Sequence, residues 1–395
     1  MKLSTRAATT EPFHALAFGQ QAAALEAQGH HVVRLSIGEP DVGAPPDVLA
    51  AMRDVMDGRP LPYTPALGLP QLRAAIAADY RARHGVEVDP ARVAVTSGAS
   101  AALLLVLAAT VDPGDDVLLA DPSYPCNRQL VSTFGGRALT LPTGPDQRYQ
   151  LSVGALRDAW TDRTSAVMVA SPSNPTGTSV PAAELAAICA EAARRDAWRI
   201  VDEIYLDLAD PAPDGTAART VLTADPDAVV VGSFSKFFGM TGWRLGWAVL
   251  PAELVAPVER LAQNYFIAAS TPVQHAALAC FTPASLALCE ERRVEFTRRR
   301  RLVLDGLADL GLPVPVEPDG AFYVYVDVSG TGLDAWEFCA RALAGHHVAL
   351  TPGRDFSDAT AATHVRLSYA ASAAELTEGL RRIGALLAEV GAGSP

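Results

Sequence analysis

The stretch 228–250, AVVVGSFSKFFGMTGWRLGWAVL, decides how the rest of the chain is read. Its two apolar runs, Ala228 to Val231 and Leu245 to Leu250, have the length and continuity of strands buried on both faces. Between them lie Ser233, Ser235, Lys236 and Arg244, interleaved with Phe234, Phe237, Phe238 and Trp243. A bare lysine is ordinarily a solvated surface group. This one follows a buried strand, sits in an aromatic and otherwise apolar context, and stands eight residues before an arginine, so it is a candidate for chemistry. In open α/β sheets ligands collect at the carboxyl ends of strands, and the residues after each apolar run are the ones to inspect.

Outward from this stretch the pattern alternates. Upstream are a helix from Gln71 to His84, a strand from Val93 to Thr96, a helix from Ala99 to Val111, a strand from Asp116 to Ala120 and a helix after Tyr124. Strands at Ala166 to Ala170 and Trp198 to Val201 follow, with a helix from Ala182 to Arg195 between them. Continuous apolar strands separated by helices predict an α/β fold whose mostly parallel sheet is covered by helices on both faces. The strand ends carry Ser97-Gly98-Ala99-Ser100, then Asp121-Pro122-Ser123-Tyr124, then Ser171 to Gly177, then Asp202-Glu203-Ile204-Tyr205, then the lysine segment. Five polar clusters therefore converge on one edge.

The ends of the chain read differently. A helix with Ala15, Leu16, Ala22, Ala23 and Leu25 ends near Gly29, and His30 and His31 sit in a surface turn before a strand from Val32 to Ile37. No third ligand near in sequence supports a metal at these histidines. Beyond about residue 275 come a charged helix from Leu286 to Leu310, a Pro-rich turn, a strand pattern in Ala321 to Val328 and closing helices. We expect a large domain over 46–275, a smaller α+β domain over 276–395, and an N-terminal arm over 1–45 that belongs partly to the small one. Arg298 to Arg301 reads as a solvated helix face, and Pro211 to Gly215 as a surface loop.

Composition narrows the function. The 395 residues are 49% hydrophobic and 19% charged with a net charge of −12, the expected profile of a well-packed soluble protein, with no basic stripe for nucleic acid or an anionic membrane. Cys126, Cys189, Cys280, Cys289 and Cys339 show no CxxC spacing, so neither a disulfide framework nor a zinc site is expected. With no signal-peptide pattern and no apolar run of about 20 residues, a cytoplasmic location is expected. A nicotinamide-dependent oxidoreductase would call for GxGxxG after the first strand, and that pattern is absent.

Ser173-Asn174-Pro175-Thr176-Gly177, Asp202-Glu203-Ile204-Tyr205 and Ser233-Phe234-Ser235-Lys236 followed by Gly242-Trp243-Arg244-Leu245-Gly246, in this order, resemble the fold type I pyridoxal-phosphate enzymes. Specifically, the chain is similar to the class I and II aminotransferases, from Gly38-Glu39-Pro40-Asp41 to Val365-Arg366-Leu367-Ser368-Tyr369. The resemblance implies transfer of an amino group between an amino acid and a 2-oxo acid, by a ping-pong route, with pyridoxal phosphate as cofactor. It makes Lys236 the Schiff-base lysine and proton shuttle, and Asp202 the partner of the pyridine nitrogen. Gly98, Ala99 and Ser100 at a helix start, with Ser233 and Arg244, match the phosphate ligands. Asn174 and Tyr205 match the pair at the phenolic oxygen, and Tyr124 the aromatic over the ring. Arg366 matches the grip on the α-carboxylate, with Gly38 in the segment that closes over it. Tyr63 resembles the residue that reaches the neighbouring subunit's phosphate, which implies a homodimer with shared sites.

The resemblance leaves substrate choice open. A lysine that some relatives use for a second carboxylate is missing from Gly98-Ala99-Ser100-Ala101, and alanine, aromatic and other neutral amino acids all stay open. Phe13, Phe18, Cys126 and residues Gln263 to Phe266 are candidates for the side-chain pocket. A β-lyase, a ring-forming eliminase or an acyl transferase would share the same motifs, because the cofactor supplies the chemistry and the pocket selects the bond. A non-catalytic cofactor-binding regulator is the remaining alternative, opposed by the acidic charge and by the lack of a DNA-binding segment before Gly38.

Overall fold

The computed structural model describes residues 2–10, 12–211 and 218–392; most of the Pro211 to Gly215 loop lies outside the described residues. Its centre is a seven-stranded sheet of β1 (Val93–Thr96), β2 (Asp116–Asp121), β3 (Arg137–Pro142), β4 (Thr164–Ala170), β5 (Trp198–Asp202), β6 (Val229–Ser233) and β7 (Gly246–Val249). The spatial order is β1-β7-β6-β5-β4-β2-β3. β7 runs antiparallel to both of its neighbours, and the other pairings are parallel. The strands form here because Val-rich runs can bury both faces: β1, β6 and β7 are buried along their whole length.

The reversal of β7 matters for the site. In a parallel strand the carboxyl end faces the ligand edge, but an antiparallel strand presents its beginning there. Arg244, just before β7, is thereby delivered to the same edge as Lys236, just after β6. The helix Ala99–Thr110 packs against the sheet, and its start comes close because residue 246 is glycine. A Cβ there would fall 2.7 Å from the Ala99 amide nitrogen and 2.9 Å from the Gly232 oxygen.

A second sheet joins Tyr323–Asp327 antiparallel to His364–Ser368, with Thr351–Pro352 on its other edge. The long helix Pro283–Asp309 and the closing helix Ala373–Ala392 pack on each other beside it. The N-terminal segment joins this part of the molecule, since Val33–Arg34 pairs in parallel with Val348–Ala349.

Three local expectations are corrected. The strand expected from Val32 to Ile37 is only Val33–Arg34 long, because the Leu35 carbonyl, which would continue the ladder, accepts the Ser368 amide at 2.7 Å instead. β3 went unread: it is a half-exposed edge strand with no buried run to announce it. The Arg298 to Arg301 face is not uniformly solvated. Arg298 is exposed, but Arg300 is buried against Asp210, and Arg299 ties the helix to Asp41 and the Ala370 carbonyl.

Candidate active site

At the carboxyl edge of the large sheet, facing the second sheet and the N-terminal helix His14–Ala27, lies a cavity of about 650 Å³. Most of the side chains singled out from the sequence line it: Asp202 ends β5, Ser233 ends β6, Lys236 follows β6, and Arg244 precedes β7. Ala99, Ser100, Tyr124, Asn174, Tyr205, Gly38 and Arg366 line it too.

Lys236 is recessed between the large sheet and the 36–39 segment. Its Nζ donates to the Gly38 carbonyl at 2.7 Å and stands 5.6 Å from the Tyr205 ring centre. Burial pushes its pKa down to about 8, assisted by the nearby Arg366 and Arg244 charges and opposed by Glu39 and Asp202. About a tenth is therefore the free, nucleophilic amine at pH 7, far more than for a solvated lysine. Asp202 is buried as well, and burial raises its pKa to about 6 against the Ile204 amide, which donates to Oδ1 at 3.1 Å, and against the Lys236 charge. A carboxylate so placed lacks a cationic partner in its immediate contacts, and a protonated ring nitrogen supplies one.

The anion cradle is built by the backbone. Gly98 caps the helix Ala99–Thr110 with φ +86°, and the first amides of that helix have no intrahelical acceptor. Arg244 lies across this cap: a Cβ on residue 98 would come within 2.7 Å of Arg244 Nη2. Arg244 Nη1 is fixed by the Thr241 carbonyl at 3.0 Å, and the Ser233 hydroxyl accepts the Ser235 amide at 3.0 Å. Free amides, a hydroxyl and a guanidinium on one spot suit a phosphate dianion.

Arg366 lies flat between the rings of Tyr323 and Phe356, 4.5 and 4.8 Å from their centres. Nη1 donates to Asn174 Oδ1 at 2.9 Å and Nη2 to the Ser36 carbonyl at 2.7 Å, whereas the buried Nε has no partner. With Oδ1 engaged, the Asn174 amide group is left to face elsewhere. These residues fit pyridoxal phosphate with an amino acid beside it: a buried carboxylate, a recessed amine, a phosphate cradle and an incompletely satisfied guanidinium share one cavity.

Reading the sequence missed Tyr323, whose hydroxyl meets that of Tyr205 at 2.9 Å and which lines the cavity. Burial drives both phenols' pKa values upward, and each is influenced by the other and by Arg366. Thr351, whose hydroxyl is 3.3 Å from Arg366 Nη2, was also missed. Alternation along Tyr323–Asp327 was the available signal, but only the pairing register sets that strand beside Arg366.

Other candidates fall elsewhere. Phe13 lines the cavity and packs edge-on to Tyr124 with ring centres 6.3 Å apart. Phe18 is instead buried against Trp336, and Cys126 sits next to Tyr124 outside the lining. Gln263, Asn264, Tyr265 and Phe266 close the helix Ala252–Tyr265, which packs on the helix Ala99–Thr110, and none of them lines this cavity. Tyr63 is 78% exposed and does not line this chain's cavity. Among the described residues no cluster of metal-ligating side chains occurs, and no helix is long and apolar enough to cross a membrane.

A family model for aminotransferases of class I and II matches residues 30–383. A valine–pyruvate aminotransferase of Mycobacterium tuberculosis is 42% identical over 92% of this chain and 94% of that protein. An aspartate/prephenate aminotransferase of Thermus thermophilus is 35% identical over 98% of each. A solved aminotransferase structure from Mycobacterium tuberculosis aligns with a TM-score of 0.94 at 39% identity, covering 98% of this chain and 100% of that one.

Proposed function

The chain belongs to the class I and II aminotransferases, and from that premise we propose that this cavity moves an amino group from an amino acid to a 2-oxo acid in two successive half-reactions centred on Lys236. The observation that carries the reading is the convergence of Lys236, Asp202 and Arg244 on one cavity from three different strands. When bound, pyridoxal phosphate supplies an electron sink for the charge that develops at the amino acid's α-carbon.

Each residue then has a task its surroundings support. Arg244, Ser233 and the amides of Ala99 and Ser100 bind the phosphate, while Gly98, whose own amide donates to the Thr96 carbonyl at 2.8 Å, leaves room for Arg244 beside them. Asp202 holds a proton on the ring nitrogen, for which its buried carboxylate is suited. Tyr124 covers the ring face, while Asn174 and Tyr205 orient the phenolic oxygen, with Tyr323 holding the Tyr205 hydroxyl in place. Arg366 binds the α-carboxylate in a fork, its orientation fixed by Ser36, Asn174 and the two flanking rings. Lys236, once released, takes the proton from the α-carbon and returns it at the cofactor's aldehyde carbon, a transfer suited to an amine whose pKa lies near 8. Gly38 positions the lysine through its carbonyl and belongs to the segment that covers the substrate.

The same proposal includes a homodimer in which Tyr63 reaches the neighbouring subunit's phosphate. Exposed Tyr63, Leu61, Met56, Tyr265 and Ile267 support it as apolar surface left uncovered on the single chain. A cytoplasmic location and a division into arm, large and small domains near residues 45 and 275 complete the reading. The relatives' names pair valine with pyruvate in one case and aspartate with prephenate in the other, so membership in the family leaves the side chain of the substrate undecided. Borohydride reduction of the purified protein followed by peptide mapping tests the core assignment: the label belongs on Lys236, and a label on any other lysine overturns it.

A further inference from the structure

Opposite the sheet edge, the cavity wall is one stripe of the helix His14–Ala27. Leu16, Gly19, Gln20 and Ala23 all face it, and the next position on that stripe is Glu26. The facing wall is the extended segment from Arg34 to Gly38, in which Arg34, Ser36, Ile37 and Gly38 line the cavity. Along it the Gly38 carbonyl holds Lys236 and the Ser36 carbonyl holds Arg366. Arg34 comes one two-residue step farther out, roughly 7 Å along an extended chain. A substrate side chain that leaves the α-carbon toward this wall and the helix His14–Ala27 meets Arg34 in the lining.

That guanidinium is already engaged. Glu26 accepts from Arg34 Nε and Nη2, both at 2.7 Å, so both carboxylate oxygens and one edge of the fork are used. The Arg34 contact holds the Glu26 carboxyl below the usual carboxylate range, and the pair stays ionised at neutral pH with no net charge. Glu39, which lines the cavity and whose charge acts on Lys236, adds negative rather than positive potential. Of the other wall residues in this direction, Phe13, Ala15, Leu16, Gly19, Ala23 and Ile37 are apolar or small, and Gln20 is polar but carries no charge to hold a distal carboxylate.

Resting on the aminotransferase reading of the cavity, we propose that the preferred substrates are neutral, aliphatic amino acids, and that Glu26 determines this specificity by neutralising Arg34 at the far end of the side-chain corridor. A distal carboxylate would have to displace Glu26 from the fork, whereas an aliphatic chain loses nothing there and buries apolar surface. A cationic side chain meets the guanidinium first.

The test measures half-reactions of the cofactor-loaded enzyme, by the change in its absorbance, with valine, leucine, glutamate, 2-aminoadipate and lysine. The wild type is expected to favour valine and leucine over both dicarboxylates in kcat/KM. Glu26→Gln frees Arg34, and the glutamate-to-valine ratio is expected to rise about two- to fivefold, the scale of one partly exposed charge contact. Adding Arg34→Met to that variant should return the ratio toward the wild-type value. Arg34→Met alone leaves Glu26 unpaired and should instead raise the lysine-to-valine ratio. A wild type that prefers dicarboxylates, or a folded Glu26→Gln enzyme with an unmoved ratio, overturns the proposal. If no amino acid changes the absorbance of the loaded wild type, the aminotransferase reading itself fails, and the proposal with it.

Discussion

Replacing Gly98 by alanine separates the phosphate cradle from general stability. Residue 98 has φ +86° and ψ 168°, a region essentially confined to glycine, so alanine there costs about 1–3 kcal/mol of backbone strain. Part of this is offset, by about 0.4–1 kcal/mol, because alanine also restricts the unfolded chain. The new methyl group would land 2.7 Å from Arg244 Nη2 and 3.2 Å from its Cζ. Since those atoms end a flexible side chain, the guanidinium swings aside instead of breaking the fold, and it leaves the spot where the phosphate is held. Losing a charged hydrogen bond of this kind costs roughly 1.5–3 kcal/mol, or about ten- to a hundredfold in affinity. The assay titrates cofactor-free enzyme with pyridoxal phosphate and, separately, with pyridoxal, following absorbance. The loss should be confined to the phosphorylated ligand while the melting temperature falls by a few degrees. Equal losses for both ligands, or an unchanged affinity for pyridoxal phosphate, would refute the reasoning.

Four further outcomes follow from the buried charges. Asp202 has a native pKa of about 6, above the unfolded value near 3.9. Its contribution to stability is thus fully present below about pH 4 and lost as the pH rises through about 6, which corresponds to roughly 3 kcal/mol by pH 7. Asp202→Asn should accordingly stabilise the cofactor-free protein at pH 7 by up to about that amount, with the advantage vanishing toward pH 4 in denaturant titrations, while abolishing the half-reaction. Lys236, with its pKa lowered to about 8, should capture pyridoxal phosphate at a rate that rises with pH and levels off above about 8; a rate still climbing past pH 10 would mean that the amine is solvated. The same lowering makes the cofactor-free protein gain stability between about pH 8 and about 10.5, the range in which the unfolded lysine still holds its proton. Arg366→Ala should raise KM for amino acids by about a hundredfold or more with cofactor content unchanged, since the guanidinium meets the substrate and not the phosphate; loss of bound cofactor on purification would reassign the residue.

The α/β architecture was legible because its signals are local. Val-rich runs such as Val229 to Val231 can only be strands buried on both faces, and Gly98 before an Ala- and Leu-rich run can only open a helix. Lys236 and Arg244 could be picked out because eight residues of sequence link them, Asp202 because it ends a strand, and Asn174 because it stands in the polar segment that follows one. Contacts between distant segments were not legible. Tyr323 and Thr351 gain their roles from the pairing of His364–Ser368 with its two neighbours, and nothing within either segment announces Arg366 across the ladder. Arg300 looked solvated because a helix pattern shows which residues share a face, not what covers that face.

The sequence by itself determined which residues carry charge, which runs must be buried, and hence that reactive groups gather along one sheet edge. Only the tertiary structure decided their mutual geometry. The reversed β7 set Arg244 across Gly98, the 34–38 segment placed one carbonyl on Lys236 and another on Arg366, and Glu26 met Arg34 at the end of a corridor. The reason is physical: burial and backbone preference are properties of a residue and its near neighbours, whereas the meeting of side chains depends on loops and registers, which join Glu26 to Arg34 around a turn and Asn174 to Arg366 across 192 residues.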